Sequence, residues 1–135
     1  MRKISRIVYL IASWLFLLGV IVQVFLAGMV VVAGQSGWEN HIGLGHSLGL
    51  PLLIMLITVF LGGMPRRMKR LTLMLFVVYL LQSDVIIYLR DSAPIVSALH
   101  PVLALADFAL GHTLALQAWP LVKGSEPKTV RVRAA

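Results

Sequence analysis

Four apolar stretches, each long enough to cross a bilayer, divide this chain with only short polar loops between them. A membrane-crossing helix takes about 20 predominantly apolar residues. The first stretch runs from Ile7 to about Gly34 and follows a basic start, Met1 to Arg6. It exceeds the roughly 7–15 apolar residues of a signal peptide and no A-x-A site closes it, so it reads as a retained helix. The pattern predicts helices over about 7–34, 40–61, 71–88 and 95–119, followed by a polar cytoplasmic tail over 122–135. Residues 1–121 would then form one domain. Composition agrees: apolar residues make up 59% and charged residues 13% of 135, more apolar side chain than so small a soluble core could bury. The expected fold is all-α, an integral membrane four-helix bundle running up-down-up-down.

The basic residues set its orientation. Arg2, Lys3 and Arg6 precede helix 1, while Arg66, Arg67, Lys69 and Arg70 lie between helices 2 and 3. Lys123, Lys128, Arg131 and Arg133 follow helix 4, which leaves Arg90 as the exception among 12. Cytoplasmic loops carry the excess of Lys and Arg, so both termini are expected in the cytoplasm of a bacterial-type inner membrane. The net charge of +7 therefore meets anionic lipid and argues for no nucleic-acid partner.

Prolines and caps mark local departures. Asn40 or Ser36 would cap helix 2, and Trp38 lies in an interfacial loop. Pro51 should bend helix 2 by freeing the Ser47 carbonyl. Pro94 suits the first turn of helix 4, Pro101 should weaken it, and Pro120 should end it.

Polar residues inside the apolar sequence mark candidate sites, because ionisable groups are costly in hydrocarbon. Gln82 to His112 holds Asp84, Asp107 and His112. Gln82 precedes His100 by 18 residues, and Gln23 precedes His41 by the same spacing. The chain thus reads as two copies of one helical hairpin, each presenting a histidine where its second helix begins. Helices 2 and 4 lie on a diagonal of such a bundle, so His41 and His100 should face each other near the outer side. Two such imidazoles can supply both axial ligands of a non-covalent haem b. The repeat selects His41 over His46.

Other residues have two readings each. Gly28, Ala27 and Gly34 thin helix 1, and Gly43, Gly45, Ser47 and Gly49 thin helix 2. They either leave space for a cofactor or let helices approach through Gly45-x-x-x-Gly49. His46 and Asp107 could meet as a structural polar pair, or as a quinone or proton site. His112 lies about 18 Å along the helix from His100, too deep to share its haem. Gln23 and Gln82 would hydrogen-bond across the bundle. Arg90 would reach haem propionates or pair with Asp91. The absence of cysteine excludes disulfides, thiolate metal sites, a Cys nucleophile and covalent c-type haem.

The run Gln23-Val-Phe-Leu-Ala-Gly28, then Trp38-Glu39-x-His41-x-x-x-Gly45, then Leu99-His100, resembles one four-helix half of the haem A synthase type of membrane protein. It is also similar to uncharacterised bacterial four-helix membrane proteins. The resemblance implies that His41 and His100 ligate haem. It covers Ile7 to Trp119, but the synthase has eight helices, and its acidic residue stands three before the histidine where Glu39 stands two before His41. The cysteines in the outer loops of many synthases have no counterpart. Ligation is thus the implied property, rather than oxidation of a haem methyl group. The expected function is electron transfer or haem handling, alone, as a homo-oligomer or beside a larger membrane complex. The alternatives are a non-catalytic structural or accessory subunit and a small quinone- or proton-handling redox protein.

Overall fold

Helices dominate because the four apolar stretches contain few residues able to break them. The computed structural model describes residues 1–124, and no strand occurs among them. Four helices are long and apolar enough to cross a membrane: α1 (Arg2–Val31), α2 (Glu39–Leu61), α3 (Arg66–Tyr88) and α4 (Pro94–Lys123). Each packs on its neighbour in sequence and α4 closes back on α1, so α2 and α4 stand diagonally across the bundle.

Several boundaries differ from the sequence expectation. α1 begins at Arg2 and ends at Val31, short of Gly34, whose φ of 67° puts it in the loop. Gly34 therefore does not thin α1. α2 starts at Glu39 with Trp38 at its cap position, and neither Ser36 nor Asn40 caps it. α3 begins at Arg66, five residues early, because Pro65 leads directly into the first turn. Its basic residues thus lie on the helix instead of in a loop. α4 passes through Pro120 and ends at Lys123, with Gly124 left-handed at φ 76°. One proline removes one hydrogen bond, and this turn is held by buried Leu114, Ala115 and Ala118. Of the anticipated tail, residues 125–135 lie outside the described residues.

Two helices are interrupted. α2 breaks at Leu48, between Glu39–Ser47 and Gly49–Leu61. Pro51 has no N–H for the Ser47 carbonyl, as expected. α4 breaks between Pro94–Ser97 and His100–Lys123, where Pro101 leaves the Ser97 carbonyl free in the same way. α3 contains a π-helical turn over Leu81–Val85, in which the Ile86 N–H reaches back to the Leu81 carbonyl.

The bundle has two unlike halves. The buried core lies towards the end where α1 begins and α4 finishes, built on Tyr9, Phe16, Leu52, Met55, Leu75 and Leu114. There Tyr9 and Thr72 share a buried hydrogen bond of 2.7 Å between their hydroxyls. Arg6 closes this end by donating to the Gly62 carbonyl at 3.0 Å and the Leu121 carbonyl at 3.4 Å. In the other half no residue between 21 and 47 is buried. Between 80 and 110 only Ile86 and Asp107 are.

The two hairpins repeat in packing as well as in sequence. Gln23 and Gln82 stand 59 residues apart, as do His41 and His100. Positions with the same separation share burial: Phe16 with Leu75, Val20 with Tyr79, Met55 with Leu114. Leu48 and Asp107 are also such a pair, apolar in the first hairpin and acidic in the second.

Candidate functional site

The site is assembled by two hydrogen bonds that obey the repeat. His41 Nδ1 lies 3.1 Å from the Gln23 carbonyl, and His100 Nδ1 lies 3.0 Å from the Gln82 carbonyl. A backbone carbonyl can only accept, so each Nδ1 carries the hydrogen and donates it. Each Nε2 then keeps its lone pair. The two rings stand 6.1 Å apart between centroids, at 63° between planes. α2 and α4 thus bring the two imidazoles together across the diagonal, as their spacing implied.

Neighbouring groups fix both rings. Trp38 meets His41 edge-on, with centroids 5.4 Å apart and planes at 80°. The Tyr79 hydroxyl donates to the Gly45 carbonyl at 2.8 Å, with the His46 carbonyl 3.3 Å away. On the other side the Ser97 hydroxyl donates to the Ile86 carbonyl at 2.9 Å, tying the start of α4 to α3 just before His100. Sequence reasoning assigned Trp38 to the interface and missed Tyr79, Ser97 and the π turn. The pairing of Tyr79 with Val20 in the repeat was the available signal for Tyr79. Nothing in Leu81–Val85 marks a π turn by composition.

The glycines separate into two kinds. A Cβ on Gly45 would come 2.7 Å from Gln23 Nε2, and one on Gly49 would come 3.2 Å from the Tyr79 hydroxyl. These two make room for polar side chains from α1 and α3, rather than for bare helix backbones. A Cβ on Gly28 or Gly43 meets nothing within 4 Å. Gly43 is exposed, so a side chain there would point away from the bundle.

The remaining expected residues do not join the histidines. Gln23 and Gln82 act through their backbone carbonyls, and each side-chain Oε1 is buried without a partner, so no amide–amide bond crosses the bundle. His46 is exposed, while Asp107 is wholly buried with both carboxyl oxygens unpartnered. The anticipated His46–Asp107 hydrogen bond is not made. The reason is angular: His46 is five residues past His41, about 140° around the helix, and turns outward. His112 is also exposed and stacks on Phe108, with centroids 6.1 Å apart and planes 3° from parallel. Arg90 pairs with Asp91 at 3.4 Å, both side chains in solvent at 72% and 91% exposure. Asp84 accepts from Ser83 at 2.6 Å and faces outward.

The donor set narrows what could be held. Among the described residues no three His, Asp or Glu side chains converge on one point. Structural zinc sites use four protein ligands and catalytic ones three. Two imidazoles match instead the two axial positions that a haem macrocycle leaves for protein. Nitrogens about 2 Å from one metal on opposite sides put imidazole centroids about 6 Å apart, close to the separation found. The Nδ1 bonds are the outer contacts that orient metal-bound histidines and raise their basicity.

Fold and site together define a four-helix chain, able to cross a membrane, with paired histidines at one end. Residues 23–86 match a family of unknown function (DUF6220), a span that includes Gln23, His41 and Gln82 and stops before His100. No curated protein and no solved structure matches the chain.

Proposed function

We propose that this is an integral membrane protein that binds one b-type haem non-covalently, with His41 and His100 as axial ligands, for electron transfer or haem handling. The observation that carries the reading is the pair of Nδ1 hydrogen bonds to Gln23 and Gln82, which leaves two Nε2 lone pairs on rings whose centroids stand 6.1 Å apart. When bound, haem supplies a one-electron couple. The chain's own residues do the rest. His41 and His100 would hold the iron, and the Gln23 and Gln82 carbonyls and Trp38 would orient the rings. Basic residues at the opposite end set both termini in the cytoplasm of an inner membrane, so the histidines lie near the outer face. The apolar side chains exposed along all four helices then meet lipid.

The test is the visible spectrum of detergent-purified protein produced with haem supplied. A low-spin spectrum with sharp reduced bands is expected. His41→Ala or His100→Ala should turn it high-spin or leave the protein haem-free, while His46→Ala and His112→Ala should keep it low-spin. A colourless wild type would overturn the reading and favour a non-catalytic membrane subunit.

A further inference from the structure

Asp107 is the feature that haem ligation leaves unexplained. Its carboxyl is completely buried, and both oxygens lack hydrogen-bond partners. The equivalent position in the first hairpin is Leu48, so packing alone does not call for an acid here. No cation faces it. The ionisable residues of α1 are Arg2, Lys3, Arg6 and Tyr9, all near the opposite end. From α3 the nearest are Tyr79, whose hydroxyl is committed to α2 carbonyls, and Asp84, which points outward. On α2, across the diagonal, His41 bonds Gln23, while His46 and Glu39 are exposed. α4 itself carries His100, bonded to Gln82, His112, which is exposed, and Lys123 at the far end.

A buried carboxylate with neither hydrogen bond nor counter-charge is strongly disfavoured, so the group holds its proton unless positive charge arrives nearby. Asp107 lies seven residues past His100 on the same face of α4, about 10 Å further along the axis. A unit of positive charge at that distance changes proton binding roughly tenfold at an effective dielectric of about 20.

We propose that Asp107 is a proton-binding site coupled to the oxidation state of the haem held by His41 and His100, an inference that rests on the ligation reading above. In the oxidised protein the net positive iron centre favours the Asp107 carboxylate. Reduction by a one-electron donor would remove that charge, and the carboxylate would take up one proton from the bulk solvent's hydronium pool, forming an O–H bond. Reoxidation returns the electron to an acceptor and releases the proton. The buried Oε1 atoms of Gln23 and Gln82 belong to the same half of the bundle and give an incoming water two further acceptors.

The test is an equilibrium redox titration of haem-loaded protein against pH, wild type beside Asp107→Asn. The wild-type midpoint should fall with rising pH across a window in which up to one proton accompanies each electron. The variant should be flat through that window. Equal slopes in the two proteins overturn the proposal while leaving ligation intact, and a wild type that takes up no haem overturns the ligation reading instead. A readout independent of loading and of the variant's folding is the infrared spectrum of haem-free wild type. A protonated carboxyl band persisting above neutral pH is expected. Its absence, with every acid ionised, overturns the proposal.

Discussion

At the residue scale, single atoms separate the glycines that matter from those that do not. Gly19 accommodates the Leu48 side chain, and Gly45 accommodates Gln23. Gly19→Ala should destabilise the protein by about 1–3 kcal/mol, the usual cost of overpacking. Gly45→Ala should displace Gln23 and disturb the His41 side of the haem site. Gly28→Ala and Gly43→Ala meet no neighbour, and alanine favours helix over glycine by up to about 1 kcal/mol. Both should therefore hold or raise the melting temperature of haem-free protein in detergent. Thermal melting read beside the visible spectrum checks all four, and equal melting shifts at Gly19 and Gly28 would contradict the packing described.

At the element scale, interruptions position the histidines. The π turn over Leu81–Val85 inserts one residue into α3 directly at Gln82, the acceptor for His100. Such turns recur at functional sites because they re-aim backbone carbonyls. Deleting Ser83 should return α3 to a regular helix and turn its outer end by about 100°. Helix content by circular dichroism should stay the same while the low-spin spectrum is lost. An unaltered spectrum would show that the turn does not serve the site. Much of this level was legible in the residues. The 18-residue spacing paired each glutamine with a histidine, but the glutamines were expected to bond across the bundle, and the backbone bonds to the histidines were not foreseen. Pro51 and Pro101 marked the two breaks, because a missing N–H acts locally. Pro120 misled, since core packing outweighs one lost bond. The π turn was invisible, because it depends on register between helices and not on composition.

At the scale of the whole molecule, charge decides the arrangement. On the orientation proposed above, Ser36 and Ser92 are expected outside and Ser125, beyond the described residues, inside. Cysteines substituted at Ser36 and Ser92 should react with a membrane-impermeant thiol reagent in intact cells, and Ser125→Cys should react only after lysis. Labelling of Ser125→Cys in intact cells would reverse the orientation and move the histidines to the cytoplasmic face. The fold class and the diagonal relation of α2 to α4 could be read from four apolar stretches joined by short loops. The unequal burial of the two halves could not, since it depends on how the helices pack.

Arg6 gives that inequality a direction in time. Its guanidinium fastens carbonyls contributed 56 and 115 residues further along the chain. The ribosome delivers Leu121 long after Arg6, so the base of the bundle is latched only when the last helix arrives. Once latched, that end is held by hydrogen bonds and a filled interior, whereas the histidine mouth has few buried contacts to break. On the reading proposed above, a bulky passenger would board through the mouth after the latch has shut, and leave without springing it.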